Sequence, residues 1–159
     1  MIRILIDKLG TGHNDLFLQI DTLPNHSKTF DSYYLDSFLN ISESKSLQEK
    51  NANLFFEVKC LLEYWLEKIE KSSVGEIIYL PIDISDEYVG CIQMLNTRLG
   101  FKTKFVFTKD IHGYETDKIS FENQIYKVKF EDDSTIDWLI SYDSVIEGLK
   151  WSQKELDKI

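Results

Sequence analysis

Two histidines stand two residues from a carboxylate: His13-x-Asp15 and Asp110-x-His112. Such a pair can orient an imidazole for proton transfer, and both groups can ligate a metal. A metal centre needs three or four convergent ligands, and nothing else in the chain stands at a diagnostic spacing. Both pairs fall in polar loops, as does the remaining histidine, His26. Cys60 and Cys91 are the two thiols. A catalytic thiolate needs an electropositive, partly exposed setting. Cys60 instead lies among Glu57, Glu63 and apolar neighbours, so both cysteines are expected in the core. Gly10-Thr11-Gly12 lacks the third glycine of a dinucleotide fingerprint and the Gly-Lys-Ser/Thr of a P-loop. It fits a turn that needs positive φ. No Gly-x-Ser-x-Gly elbow is present. These residues point to no catalytic residue, no cofactor and no metal.

Binding chemistry is better represented. Asp83-Ile84-Ser85-Asp86-Glu87-Tyr88 joins two expected strands, and Glu131-Asp132-Asp133 ends another. If these segments share one end of a sheet, they form a negative surface with Tyr88 as an anchor. Aromatic anchors amid charge are what a tight protein interface uses. The candidate partner-binding residues are therefore Asp83, Asp86, Glu87, Tyr88, Glu131, Asp132 and Asp133. The competing explanation is two solvated turns, with Asp132, Asp133 and Ser134 capping a final helix.

The elements that must position these groups follow from hydrophobic periodicity. Ile2, Ile4 and Ile6 alternate with Arg3, Leu5 and Asp7, as in a strand. Leu16–Leu23 makes a second strand, ended by Pro24-Asn25, and the two form a hairpin. A short helix fits residues 31–40. The spacing of Leu47, Leu54, Val58, Leu61, Leu62, Trp65 and Ile69 predicts a long helix over 47–71, with Ser46 and Glu49 as a capping box. Phe55, Phe56, Cys60 and Leu66 widen its apolar sector, so it should be buried on more than one side.

Strands are expected at 76–84, 89–97 and 101–109, with Pro81 marking an edge or a bulge. A hairpin is expected at 118–122 and 125–130, turning at Asn123. A C-terminal helix, whole or kinked, is expected over 134–157, capped by Ser134 or Ser144. Ile136, Leu139, Ile140, Ile146 and Leu149 would face the core. The expected fold is a single α+β domain over residues 1–159. A mostly antiparallel, meander-like sheet is packed by the long central helix and the C-terminal helix.

Composition bounds the function. The chain has 159 residues, 43% hydrophobic and 13% aromatic, which excludes global disorder. No run approaches the roughly 18 apolar residues of a membrane span. The N-terminus lacks the features of a signal peptide, and two cysteines make no disulfide framework, so a cytoplasmic location is expected. Twenty-seven Asp and Glu face 18 Lys and Arg, a net charge of −9. That charge repels phosphate backbones and attracts cationic partners. Direct nucleic-acid and membrane binding are not expected.

The segment Gly75 to Gly90 runs from a hydrophobic strand into Leu80-Pro81-Ile82-Asp83-Ile84-Ser85-Asp86-Glu87-Tyr88. It resembles a pattern in small immunity proteins of bacterial toxin–immunity systems, including those of contact-dependent growth inhibition. The resemblance covers about a tenth of the chain. It implies a non-enzymatic cytoplasmic protein that binds a cognate toxin domain, often a nuclease, whose basic cleft an acidic inhibitor can cover. Two other classes stay open: an acidic secretion chaperone, which would be a dimer with apolar grooves, and an enzyme using the His13 and His112 loops.

Overall fold

A computed structural model describes residues 1–7, 12–20, 27–41, 47–133 and 137–158, with backbone alone for Ser27 and residues 47–53. Gly10, Thr11, the 21–25 end of the second strand, His26, Ser46, Ser134 and Ile136 lie outside the described residues, as do the side chains of Leu47 and Glu49. Strands β1 (Ile2–Ile6), β2 (Leu16–Ile20) and β3 (Ser27–Phe30) form an antiparallel sheet in that order. Ile4 faces Leu18 and Ile2 faces Ile20 across the first pair, and all four are buried. The period-2 alternation thus places one apolar face inward. Strand β3 was not expected, because Ser-Lys-Thr-Phe carries only one strongly apolar residue; Leu16↔Phe30 pairing creates it.

Helix α1 (Leu35–Phe38) follows, then α2 (Leu47–Lys71), with the bounds that the periodicity predicts. Val58, Leu61, Leu62, Trp65 and Ile69 of α2 are fully buried. Leu54, Leu66, Tyr64 and Glu57 flank them, so the buried sector is wide. Phe56 is an exception and is exposed. Trp65 donates its indole N–H to the Pro81 carbonyl at 3.0 Å, which joins the helix to the second sheet. Burial of the indole therefore strands no polar atom.

That second sheet has strand order β4 (Ile77–Ile84), β5 (Val89–Thr97), β6 (Gly100–Thr108) and β7 (Glu131–Asp132), all antiparallel, with β8 (Trp138–Ile140) also paired to β6. Strand β4 is an edge, and its register shifts between Pro81 and Asp83. Proline has no N–H for the ladder, so both outcomes suit Pro81. The two sheets meet where Phe30 packs on Phe105, with centroids 6.4 Å apart.

Two expected elements are corrected. Residues 118–130 are not a hairpin. Lys118–Gln124 is helix α3, capped by the Asp117 carboxylate, which accepts from the Ser120 N–H at 2.7 Å. Phe121 and Ile125, four residues apart, are both buried, a helical pairing that outweighs the local alternation. Tyr126 and Phe130 then lay their rings against Tyr79 of β4, Phe130 stacked at 4.4 Å, instead of pairing as a strand.

The 134–157 helix is also shorter than expected. Trp138–Ile140 is strand, with Trp138 and Ile140 buried and Leu139 exposed, so Leu139 does not face the core. Pairing with β6 overrides helical propensity there. Helix α4 (Tyr142–Leu156) begins at Ser141, whose hydroxyl accepts from the Ser144 N–H at 3.2 Å. Ser144 is thus inside the first turn and not the cap. The architecture is α+β, with two antiparallel sheets, the long helix α2 and the C-terminal helix α4.

Candidate functional site

The two acidic segments lie at the same end of the second sheet. Asp83 pairs with Gly90, Gly90 with Phe107, and Phe107 with Glu131. Three strand spacings separate Asp83 from Glu131, about 14 Å. Directly paired residues share a face, so Asp83, Phe107 and Glu131 form one row. Gly90 leaves room for that row: a β-carbon there would lie 2.9 Å from the Asp83 Cβ. Tyr88, two residues before Gly90, shares the face. Its hydroxyl donates to Asp83 Oδ2 at 2.9 Å, and its ring packs edge-on against Phe107 at 6.0 Å.

The segments differ in how their charge is held. Asp132 pairs with Lys104 at 2.6 Å, and Asp133 pairs with Lys28. Two of the three carboxylates in the 131–133 segment are therefore offset by the chain's own lysines. At the β4–β5 turn, Asp86 accepts from the Tyr34 hydroxyl and Asp83 from Tyr88. These donors are neutral and remove no negative charge. The hydrogen bond to Asp86 pushes the Tyr34 hydroxyl up to about 12. Burial, reinforced by the bond to Asp83, pushes Tyr88 up to about 12. Both phenols therefore stay protonated donors at neutral pH. Burial raises Asp83, against the opposing hydrogen bond from Tyr88, while Asp31 adds to the rise and Lys28 moderates it.

Residues outside both segments complete this surface. The His13 ring stacks on Tyr33 at 5.4 Å, and Tyr33 meets Tyr34 edge-on at 4.8 Å. A short 3-10 turn, Gly113–Glu115, is fixed to the β4–β5 turn by the Gly113 N–H donating to the Ser85 carbonyl at 2.8 Å. That turn carries Tyr114 near Asp86. Tyr33 and Tyr114 are 57% and 54% exposed, large values for aromatic rings surrounded by partners. Sequence reasoning missed Tyr33, Tyr34, Asp31 and Tyr114. The adjacent Tyr33-Tyr34 pair was a legible signal of surface aromatics, but only the fold brings it to Asp86.

The spacing-two histidine pairs do not form. His13 Nδ1 lies 3.0 Å from Asp31 Oδ2, not against Asp15, and the bond to Asp31 raises the imidazole pKa. Asp15 is buried and accepts from the Gly12 N–H and from both the N–H and hydroxyl of Ser32. Asp110 accepts from the Lys129 N–H, while His112 tilts over Tyr114. Cys91 lies in the core as expected, whereas Cys60 is only half-buried at the rim of α2's apolar sector; burial raises both thiols above the ordinary value, Cys91 more than Cys60. Among the described residues no group of three or more His, Cys, Asp and Glu could hold a metal ion. Nor is any described helix long and apolar enough to cross a membrane.

The opposite end of the sheet is chemically different. Thr97, Leu99, Lys102, Asp137, Trp138 and Leu139 line a shallow groove there, crossed by a Lys102–Asp137 ion pair at 3.1 Å. Leu99 and Leu139 are its exposed apolar members. Comparison with known proteins finds no matching family model, no matching curated protein and no matching solved structure.

Proposed function

We propose that this is a non-enzymatic, acidic, cytoplasmic binding protein that neutralises a cognate bacterial toxin domain by covering its basic surface. The observation that carries this reading is the β4–β5 turn. Asp86 is held by the Tyr34 hydroxyl and is exposed, as is Glu87, so their negative charge remains available to a partner, while the half-buried Asp83 anchors Tyr88 beside them. Electrostatic complementarity of this kind steers encounter and sets register. Asp132 and Asp133 are peripheral to the contact, because a partner's cation must compete there with Lys104 and Lys28. A secretion chaperone is the alternative, and the Leu99–Leu139 groove is the surface it would use.

The test is a binding assay against the C-terminal domain of a large exported protein encoded beside this chain. Reversing Asp86 and Glu87 together to Lys should slow association at least tenfold. The thermal melt should hold steady, since exposed turn substitutions stay within about 0.5 kcal/mol. Reversal of Asp132 should cost less. Wild-type affinity for the double reversal would move the contact face elsewhere, and no binding to the neighbouring domain would reject the toxin reading.

A further inference from the structure

Carboxylates are common on this chain, but Asp86 is distinguished by what surrounds it. Tyr34 donates to it, Tyr33 packs edge-on against Tyr34, and the 3-10 turn sets Tyr114 close by. The Gly113–Ser85 hydrogen bond joins the residues just before Tyr114 and Asp86, so the two stand side by side along the paired turns. Among the described residues no lysine or arginine pairs with Asp86 or Glu87. An ionised carboxylate has about four acceptor sites, and Tyr34 fills one. Exposed tyrosine rings beside an under-filled carboxylate suit a cation that is planar, weakly hydrated and able to stack. That describes guanidinium and not ammonium: arginine offers a fork to the carboxylate and a flat face to the rings, whereas lysine is a strongly hydrated point charge.

We propose that the tyrosine shelf of Tyr33, Tyr34 and Tyr114 around Asp86 receives an arginine side chain of a protein partner, in preference to lysine. This rests on the reading of the β4–β5 turn as a partner surface, and it names the chemistry recognised there. The partner's basic face should present an exposed arginine at its centre, with Glu87 available to a neighbouring cation, while Asp31 is already engaged by His13 and the Asn14 N–H.

The experiment titrates the full chain with capped hexa-arginine and hexa-lysine peptides at equal ionic strength, followed by calorimetry and by NMR shifts of the tyrosine rings. Hexa-arginine should bind about three- to tenfold more tightly, with shifts centred on Tyr33, Tyr34 and Tyr114. The Tyr33→Ala/Tyr114→Ala double variant should lose that preference. The Tyr33→Phe/Tyr114→Phe variant, which keeps the rings, should retain it, and this second variant separates stacking from any change in folding. Equal affinity for the two peptides, shifts centred elsewhere, or a preference unchanged by double alanine substitution would each overturn the proposal. Arginine preference without toxin binding would reject only the toxin reading; toxin binding without arginine preference would reject only this one.

Discussion

Glu57 sits in an environment unusual for its type. It sits on α2 in the buried sector, faced by Asp36 of α1 and by Asp15, with Cys60 nearby on the same helix. Burial, with the two aspartates adding to it, pushes its carboxyl up from 4.5 to about 7. In the unfolded chain the carboxyl ionises near its ordinary value; in the fold it stays protonated until about pH 7. Between these pH values the folded state binds more protons, so Glu57's contribution to stability falls as pH rises and levels off above about 7. The cost above that point is of order 1–3 kcal/mol. Glu57→Gln should therefore stabilise the protein by about 1–3 kcal/mol at pH 8 and change little at pH 4, read by urea melts at both. Equal gains at both pH values would show that shape, not ionisation, governs the site.

At the scale of elements, helix α4 is held against β1 by backbone proximity. A β-carbon at Gly148 would lie 2.1 Å from the Ile2 carbonyl oxygen. Ser152, one turn later, accepts from the Ile4 N–H at 3.0 Å and donates back to the Gly148 carbonyl at 3.0 Å. The helix thus supplies an acceptor to β1 where a further strand would. Propensity alone favours alanine over glycine in a helix by about 1 kcal/mol. Here the clash with backbone is larger, so Gly148→Ala should cost roughly 1–3 kcal/mol in a denaturant melt. Lys150→Ala, on the exposed face of the same helix, should stay within about 0.5 kcal/mol. A stabilised Gly148→Ala protein would show that the contact between helix and strand can widen.

The net charge of −9 acts at the scale of the whole molecule. Both acidic segments lie at one end of the second sheet, whereas the groove at the other end is apolar and crossed by a neutralising ion pair. A long-range field of this kind speeds encounter with a basic partner and is screened over about 10 Å at 0.1 M salt. Raising salt from 0.05 to 0.5 M should slow association with the proposed toxin domain by about tenfold or more while changing dissociation less than threefold. Stopped-flow measurement of both rates checks this. Salt acting mainly on dissociation would shift the weight to short-range contacts such as Tyr88.

Periodicity alone specified α2 and strands β1, β5 and β6 to within a residue or two, because each is long enough for its spacing to exceed chance. The same reading failed on short or ambiguous segments. Strand β3 exists only because Leu16 pairs with Phe30, α3 because Phe121 and Ile125 share a buried face, and β8 because β6 offers it an edge. The candidate surface divides in the same way. Asp83, Asp86, Glu87 and Tyr88 are adjacent in the chain and were legible as an acidic turn with an aromatic. Their common end with Glu131 comes from strand register, and their separation from Asp132 and Asp133 in character comes from which lysines the fold delivers. Tyr34, Tyr114 and His13 reach the surface from three separate loops. Local chemistry sets what each residue can do; long-range pairing, which no single window of sequence contains, sets which residues do it together.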